Sequence, residues 1–240
     1  MEQRGTAVIA DIVGSRVLDD RAAAQRALDD AILRVEADLP LARRALLPIV
    51  GDELQGVYVT PVDAMASLLL LRLALPDGVE CRYGIGVGPL GEVPSRAGAL
   101  AEGPAWWAAR KAIETVHALQ SRSIPGARTW IVMAAAGAGA GTVAGAGAVA
   151  GTGAGASGAI DEGGDPASAR LANAYLLARD QLVSEMTGRT RRLVYGRLQG
   201  RTQTELARDE GITQSAVSQA LATAGASAVV EGFRQLRTDG

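Results

Sequence analysis

Three observations predict an α+β chain that ends in a small all-helical unit. Up to about residue 133, short runs of small and β-branched residues alternate with segments of helical apolar spacing. From Ala134 the composition changes abruptly to Gly and Ala. After residue 167 only helical patterns remain, and the last of them carries the spacing of a helix–turn–helix.

Composition narrows the function classes. The 240 residues are 48% hydrophobic and carry a net charge of −2, so any nucleic-acid surface must be local. One cysteine, Cys81, rules out a disulfide framework within the chain and fits a reducing compartment. With the single histidine, His117, it would make a nucleophile–base pair only if the fold joined them; a buried small hydrophobe is the plainer reading of Cys81. No secretory signal is visible after Met1. The apolar run Ala64 to Leu75 contains Arg72 and is too short to span a bilayer. A soluble, cytoplasmic protein is expected.

Thr6 to Ile12 is a run without polar alternation, as in a strand buried on both faces. Asp19 and Asp20 supply a helix start, and Ala24, Leu28, Ile32, Val35 and Leu39 mark one face of the helix that follows. Leu46 to Val50 and Leu54 to Thr60 are strands joined by a Gly51-Asp52-Glu53 hairpin tip. Pro61 opens the next helix, where a proline is tolerated in the first turn. Glu80 to Gly88 is a strand whose alternating glycines mark a close approach by a ligand or another backbone. Residues Ser95 to Leu119 form a loop and then a helix from Pro104, with Trp106 and Trp107 facing different ways. Arg128 to Met133 is a further strand. The Gly/Ala stretch of 134–166 cannot offset the entropy of ordering and is read as a flexible insertion. Helices follow at Ala167 to Glu185, with an apolar face of Leu171, Ala174, Tyr175, Leu177 and Leu182, and at Thr187 to Leu198.

Two of these stretches carry chemistry. Asp11 ends the first strand and Asp52 sits in the hairpin tip, each followed closely by glycine. Unpartnered buried carboxylates are costly, so such pairs tend to hold a cation or shift their pKa. Hard oxygens of this kind suit Mg²⁺ and a phosphorylated ligand. The plainer alternative is that Asp11 caps a helix and Asp52 only shapes a turn. Glu53 and Arg16 stand beside them.

The C-terminal segment has a mechanical basis. Ala207 is small where two helices cross, Gly211 permits the positive φ of the turn, and Ile212 and Val217 fill the space between. Thr213 caps the second helix. Gln203, Thr213, Gln214, Ser215, Ser218 and Gln219 are the polar side chains expected to meet DNA. From Arg189 onward eight Arg stand against five Asp and Glu, a local positive excess. A helical hairpin used only for packing or dimerisation is the alternative.

The motifs Ala10-Asp11-Ile12-Val13-Gly14-Ser15, Gly51-Asp52-Glu53, Arg82 to Gly88 and Ala108-Ala109-Arg110 resemble, in the same order, the class III nucleotide cyclase catalytic domain. The resemblance implies a ferredoxin-like βαββαβ domain, with Asp11 and Asp52 as metal carboxylates and the Ile12 carbonyl nearby. It also implies a phosphate-binding set of Ile12, Gly14, Ser15 and Arg110. Trp106 falls where that family has an asparagine, and Pro48 near its base-reading lysine. With Gly-Pro-Ala-Trp-Trp-Ala-Ala-Arg and the Gln-Ser-Ala-Val-Ser helix–turn–helix added, most of the chain looks like the SatD family, bacterial proteins associated with stress responses. The terminal module is similar to the DNA-reading end of sigma-type factors.

The expected organisation is a cyclase-like domain over 1–133, the insertion 134–166, a connecting helix 167–186 and a helix–turn–helix domain over 187–240. The expected function is a DNA-binding regulator, dimeric in action because cyclase-like sites form between protomers, whose first domain binds a nucleoside triphosphate or cyclic nucleotide with Mg²⁺. The rivals are an active nucleotide cyclase or other phosphoryl-transfer enzyme, and a scaffold without chemistry.

Overall fold

The structure is a computed structural model that describes residues 3–15, 20–95, 98–134 and 166–237. Residues 135–165 of the Gly/Ala insertion, Arg16 and Asp19 lie outside the described residues.

The strands are β1 (Gln3–Ile12), β2 (Ala42–Val50), β3 (Glu53–Tyr58), β4 (Cys81–Ser95), β5 (Gly98–Glu102) and β6 (Thr129–Met133). The helices of the first half are α1 (Arg21–Asp38), α2 (Pro61–Ala74) and α3 (Pro104–Arg122). The strands make one mixed sheet in the order β2-β3-β1-β4-β5, with β6 parallel to β4 and the other pairings antiparallel. The βαββαβ order of the first six elements, with β1 central, is the ferredoxin-like topology expected.

Alternation along β1 sorts the two faces. Val8, Ala10 and Ile12 join the core with α1 and α2, while Ala7 and Ile9 pack with Val57 against α3. Asp20 caps α1 by accepting from the Ala23 amide, and Thr60 caps α2 ahead of Pro61. Every residue from Ala64 to Leu73 is buried, because α2 is covered by the sheet on one side and by later helices on the other. That explains the apolar run read in the sequence; among the described residues no helix is long and apolar enough to cross a membrane.

The glycines of β4 answer to a backbone, not to a ligand. A Cβ at Gly84 or Gly86 would overlap main-chain atoms of α3, at Ala109 and Ile113 or at Ala105 and Ala109. β4 also runs beyond Gly88 to Ser95 and pairs with β5, which lies in the stretch read from sequence as a loop.

The second half is helical: α4 (Pro166–Ser184), α5 (Gly188–Leu198), α6 (Gln203–Glu210), α7 (Gln214–Ala222) and α8 (Ala226–Arg237), with a short 3₁₀ turn at Thr223–Gly225. The buried face of α4 only partly coincides with the one its apolar residues mark: Tyr175, Leu177 and Leu182 are half-buried against the cores. Leu171 is 75% exposed and Ala174 is exposed, while Asn173, Leu176, Arg179, Asp180 and Val183 are buried. The reason is the free edge of β6. The Asn173 amide accepts from the Ile131 N–H at 2.8 Å and donates to the Ile131 carbonyl at 2.9 Å. Asp180 accepts from the Arg128 and Thr129 amides at 2.8 and 2.6 Å. Polar side chains thus complete the strand's main-chain hydrogen bonds and cover its edge. Asp180, fully buried, also accepts from Arg72 of α2 and from Arg179.

Candidate functional site

Two sites were expected, one at the end of β1 and one on α7.

At the first, the β1–β3 register ends at Ala10↔Leu54, so its continuation sets Asp11 beside Glu53, with Asp52 one residue further into the turn. Gly51 opens that turn at φ +66°. Asp11 is directly opposite Arg82 in the β1–β4 ladder, and Arg82 binds it in a fork, Nε to Oδ1 at 2.8 Å and Nη2 to Oδ2 at 3.1 Å. Arg82 Nη1 also donates to Gln120 of α3 at 3.2 Å. Glu53 receives a second fork from Arg110 of α3, at 2.5 and 2.6 Å. That guanidinium holds the Glu53 carboxyl below the usual carboxylate range, against opposing effects of burial and of Asp52. Asp52 lies 3.9 Å from Arg21.

The expected phosphate set is only partly assembled. Arg110 is brought to the carboxylate end of the sheet, with Glu53 as its partner. The Ile12 carbonyl accepts from the Ser15 amide in the tight turn after β1, where Gly14 has φ +68°. Gly14 is exposed and Ser15 half-buried. Trp106 is buried in the core under α3, with the Arg44 guanidinium 5.6 Å from its ring centre, and Trp107 is half-buried. Glu53 and Arg82 are the residues of this site that the sequence assigned least to; their strand positions next to the two aspartates were the available signal.

The donors fit a hard divalent cation in kind. Asp11 and Asp52 are carboxylates at one end of the sheet, their side chains 25% and 32% exposed. Among the described residues no three His, Cys, Asp or Glu side chains converge on one point, so a cation there would draw its other oxygens from water or ligand. It would also have to share Asp11 with Arg82. Cys81 takes no part: it is buried on the opposite face of β4, and burial pushes its thiol up to about 12. His117 is exposed on α3.

At the second site the local chemistry is complete. Thr202 and Glu205 form a capping box at the start of α6. Gly211 ends α6 in the left-handed region at φ +64°. Thr213 caps α7 by accepting from the Ala216 amide at 3.1 Å and shares a 2.9 Å hydrogen bond with Ser215. Leu206, Ala207, Val217 and Leu221 are buried between α5, α6, α7 and α8. Gln214, Ser215, Ser218 and Gln219 are exposed together on the other side of α7, with Thr213 exposed at its cap and Gln203 half-buried at the start of α6. Arg192 binds Glu210 in a fork at 2.8 Å, tying α5 to the end of α6.

Several known proteins are similar to this chain. The chain is similar to the catalytic core of a rhodopsin-guanylyl cyclase with converted specificity in complex with ATPalphaS, at 18% identity over 48% of this chain and 73% of that one, with a TM-score of 0.38. It is similar to the monomeric guanylyl cyclase domain of the RhoGC fusion protein from the aquatic fungus Blastocladiella emersonii, at 15% identity over 48% and 76%, with a TM-score of 0.39. The adenylyl cyclase CyaB from P. aeruginosa is another, at 18% identity over 50% and 83%, with a TM-score of 0.34. No curated protein matches the chain. The model of the SatD family matches from Thr6 to Ser123, a span that holds most of β1, both aspartates, the glycine strand β4 and α3. Over residues 6–123, therefore, the chain belongs to the SatD family.

Proposed function

We propose that this protein binds duplex DNA through α7, as a regulator whose cyclase-like half senses a ligand. The observation that carries the reading is the division of α7 into two sides. Val217 and Leu221 anchor it in the helical core, and Gln214, Ser215, Ser218 and Gln219 are left exposed on a short helix set after a tight turn. A helix presented in this way fits the major groove, and short polar side chains suit base edges and phosphates. The weak positive excess of this region implies modest affinity from one copy, so the reading includes a homodimer that places two α7 helices on one duplex. The test is fluorescence anisotropy of the full chain with labelled fragments of its own genome's upstream regions. The double variant Gln214→Ala/Ser218→Ala is expected to weaken binding about tenfold or more while its melting temperature is unchanged. Equal binding by both proteins would remove α7 from the interface.

A second reading concerns the first half and is favoured by one observation. Carboxylates Asp11 and Glu53 and guanidiniums Arg82 and Arg110 gather at one end of the sheet on its α3 side. With Asp52 of the adjoining turn, this set would hold Mg²⁺ on Asp11 and Asp52 and phosphate oxygens on Arg110, so the ligand would be a nucleoside triphosphate or a cyclic nucleotide. Bound there, the ion would neutralise and orient phosphate oxygens. Turnover as a cyclase or other phosphoryl-transfer enzyme is the rival use of the same set. Thermal unfolding with Mg²⁺ and each of ATP, GTP, CTP and UTP separates these from a scaffold. Mass action predicts a metal-dependent rise in Tm with one nucleotide in the wild type and none in Asp11→Asn. No rise with any nucleotide would leave the carboxylates as structural ion pairs.

A further inference from the structure

Resting on the duplex-binding reading above, we infer that α7 reads A·T pairs, with Gln214 and Gln219 as its adenine-recognising side chains. α7 has the sequence Gln-Ser-Ala-Val-Ser-Gln-Ala-Leu-Ala and contains neither arginine nor lysine. The commonest guanine contact, a cationic side chain paired with O6 and N7, is therefore absent from this helix. What α7 does expose are two glutamines and two serines. An amide can donate to adenine N7 and accept from its N6 amino group at the same time, a two-point match that guanine, with acceptors at both positions, does not offer.

The hydrogen bonds already formed divide the four residues further. Ser215 is held at the helix start by its bond to Thr213, and Thr213 is itself spent on the Ala216 amide. This pair sits at the N-terminus of α7, where a backbone phosphate is the natural neighbour. Gln214 and Ser218 are one turn apart and share a ridge, and Ser215 and Gln219 make the neighbouring one. No hydrogen bond to another protein side chain occupies either glutamine amide among the interactions described, and both residues are exposed. Arg208, the exposed cation nearest in sequence, is on α6, the helix that crosses the phosphate backbone in this type of docking. Charge thus falls to the backbone contacts, and base choice falls to the glutamines.

The test uses the full chain. Duplexes with a randomised central segment are selected for binding, and the winner is remade with 7-deaza-adenine, which lacks the N7 acceptor but pairs normally with thymine. Selected sites are expected to carry adenine at two or more fixed positions. The 7-deaza duplex is expected to bind the wild type about tenfold more weakly, while Gln214→Ala or Gln219→Ala no longer distinguishes the two duplexes at the position it reads. Both residues are exposed, so unchanged far-UV circular dichroism and Tm of the variants are the fold control. Selection of G·C sites, selection without preference, or full-strength binding to the 7-deaza duplex would each overturn this inference and leave duplex binding standing. Binding to no duplex at any salt concentration tried would overturn the duplex-binding reading and this inference with it.

Discussion

Asp180 is the residue with the most at stake. It is fully buried and is the acidic partner of Arg72 and Arg179, whose side chains are 7% and 1% exposed. It also accepts from two main-chain amides of the β6 edge. Burial pulls the Arg72 guanidinium below its usual range, and the Asp180 charge opposes that pull. Replacing a carboxylate in such a group leaves buried cations without compensation, a change that costs about 3–5 kcal/mol. Asp180→Asn is therefore expected to lower the unfolding free energy by that amount, read as a fall in the urea midpoint at unchanged slope. A loss under about 1 kcal/mol would mean that α4 is held by its apolar contacts instead. In the sequence Asp180 is one more charge on a helix, indistinguishable from a solvated one. Asp11 is the opposite case: its position at the end of a buried strand singled it out, and its partner did not. Arg82 is 71 residues away and meets it only through strand register.

At the scale of elements, α3 and β4 set the geometry of the sheet's second face. α3 lies so close that Gly84 and Gly86 have no room for a side chain. Gly86→Ala would drive a methyl group into main-chain atoms of α3, which cannot rotate aside as a side chain would. An overpacking cost of about 1–3 kcal/mol is expected, read as a shift of the urea midpoint at unchanged slope. Because α3 carries Arg110 and Gln120, the same displacement would loosen both ion-pair forks at the end of β1. The elements themselves were largely legible: periodicity marked α1, Pro61 and Pro104 marked the starts of α2 and α3, and Thr and Gly signals marked the turn between α6 and α7. β5 was missed because its register against β4 depends on a neighbour rather than on its own pattern. α4 was legible as a helix, but its buried face only in part, since side chains that serve a strand edge are polar.

For the whole molecule, the sequence divides the chain at the Gly/Ala stretch, yet one apolar core runs through both halves. It joins Val8 and Ile12 of β1 to α2, and α2 to Leu193, Val217 and Phe233 of the helical region. α2 packs on α5 and α8, and Tyr195 of α5 donates to Asp38 of α1 at 2.6 Å. A cleft of about 770 Å³ remains between α1, the end of α2, α5 and α6, bridged at its rim by Arg191–Asp77. A shared core predicts that both halves unfold together. Urea unfolding followed by tryptophan fluorescence, which reports the α+β half, and by far-UV circular dichroism should give coincident transitions. Separate transitions would show that the helical region holds its fold without α2.

The sequence by itself determined the α+β class, the run of strands and helices, and the caps and turn of the helix–turn–helix. Those features depend on residues within a few positions of one another, through side-chain period, φ preference and local hydrogen bonds. Tertiary structure decided which charges meet. Asp11 with Arg82, Glu53 with Arg110 and Asp180 with Arg72 join residues 71, 57 and 108 positions apart. Register and helix docking alone bring such groups within hydrogen-bonding distance, and no local pattern records the match.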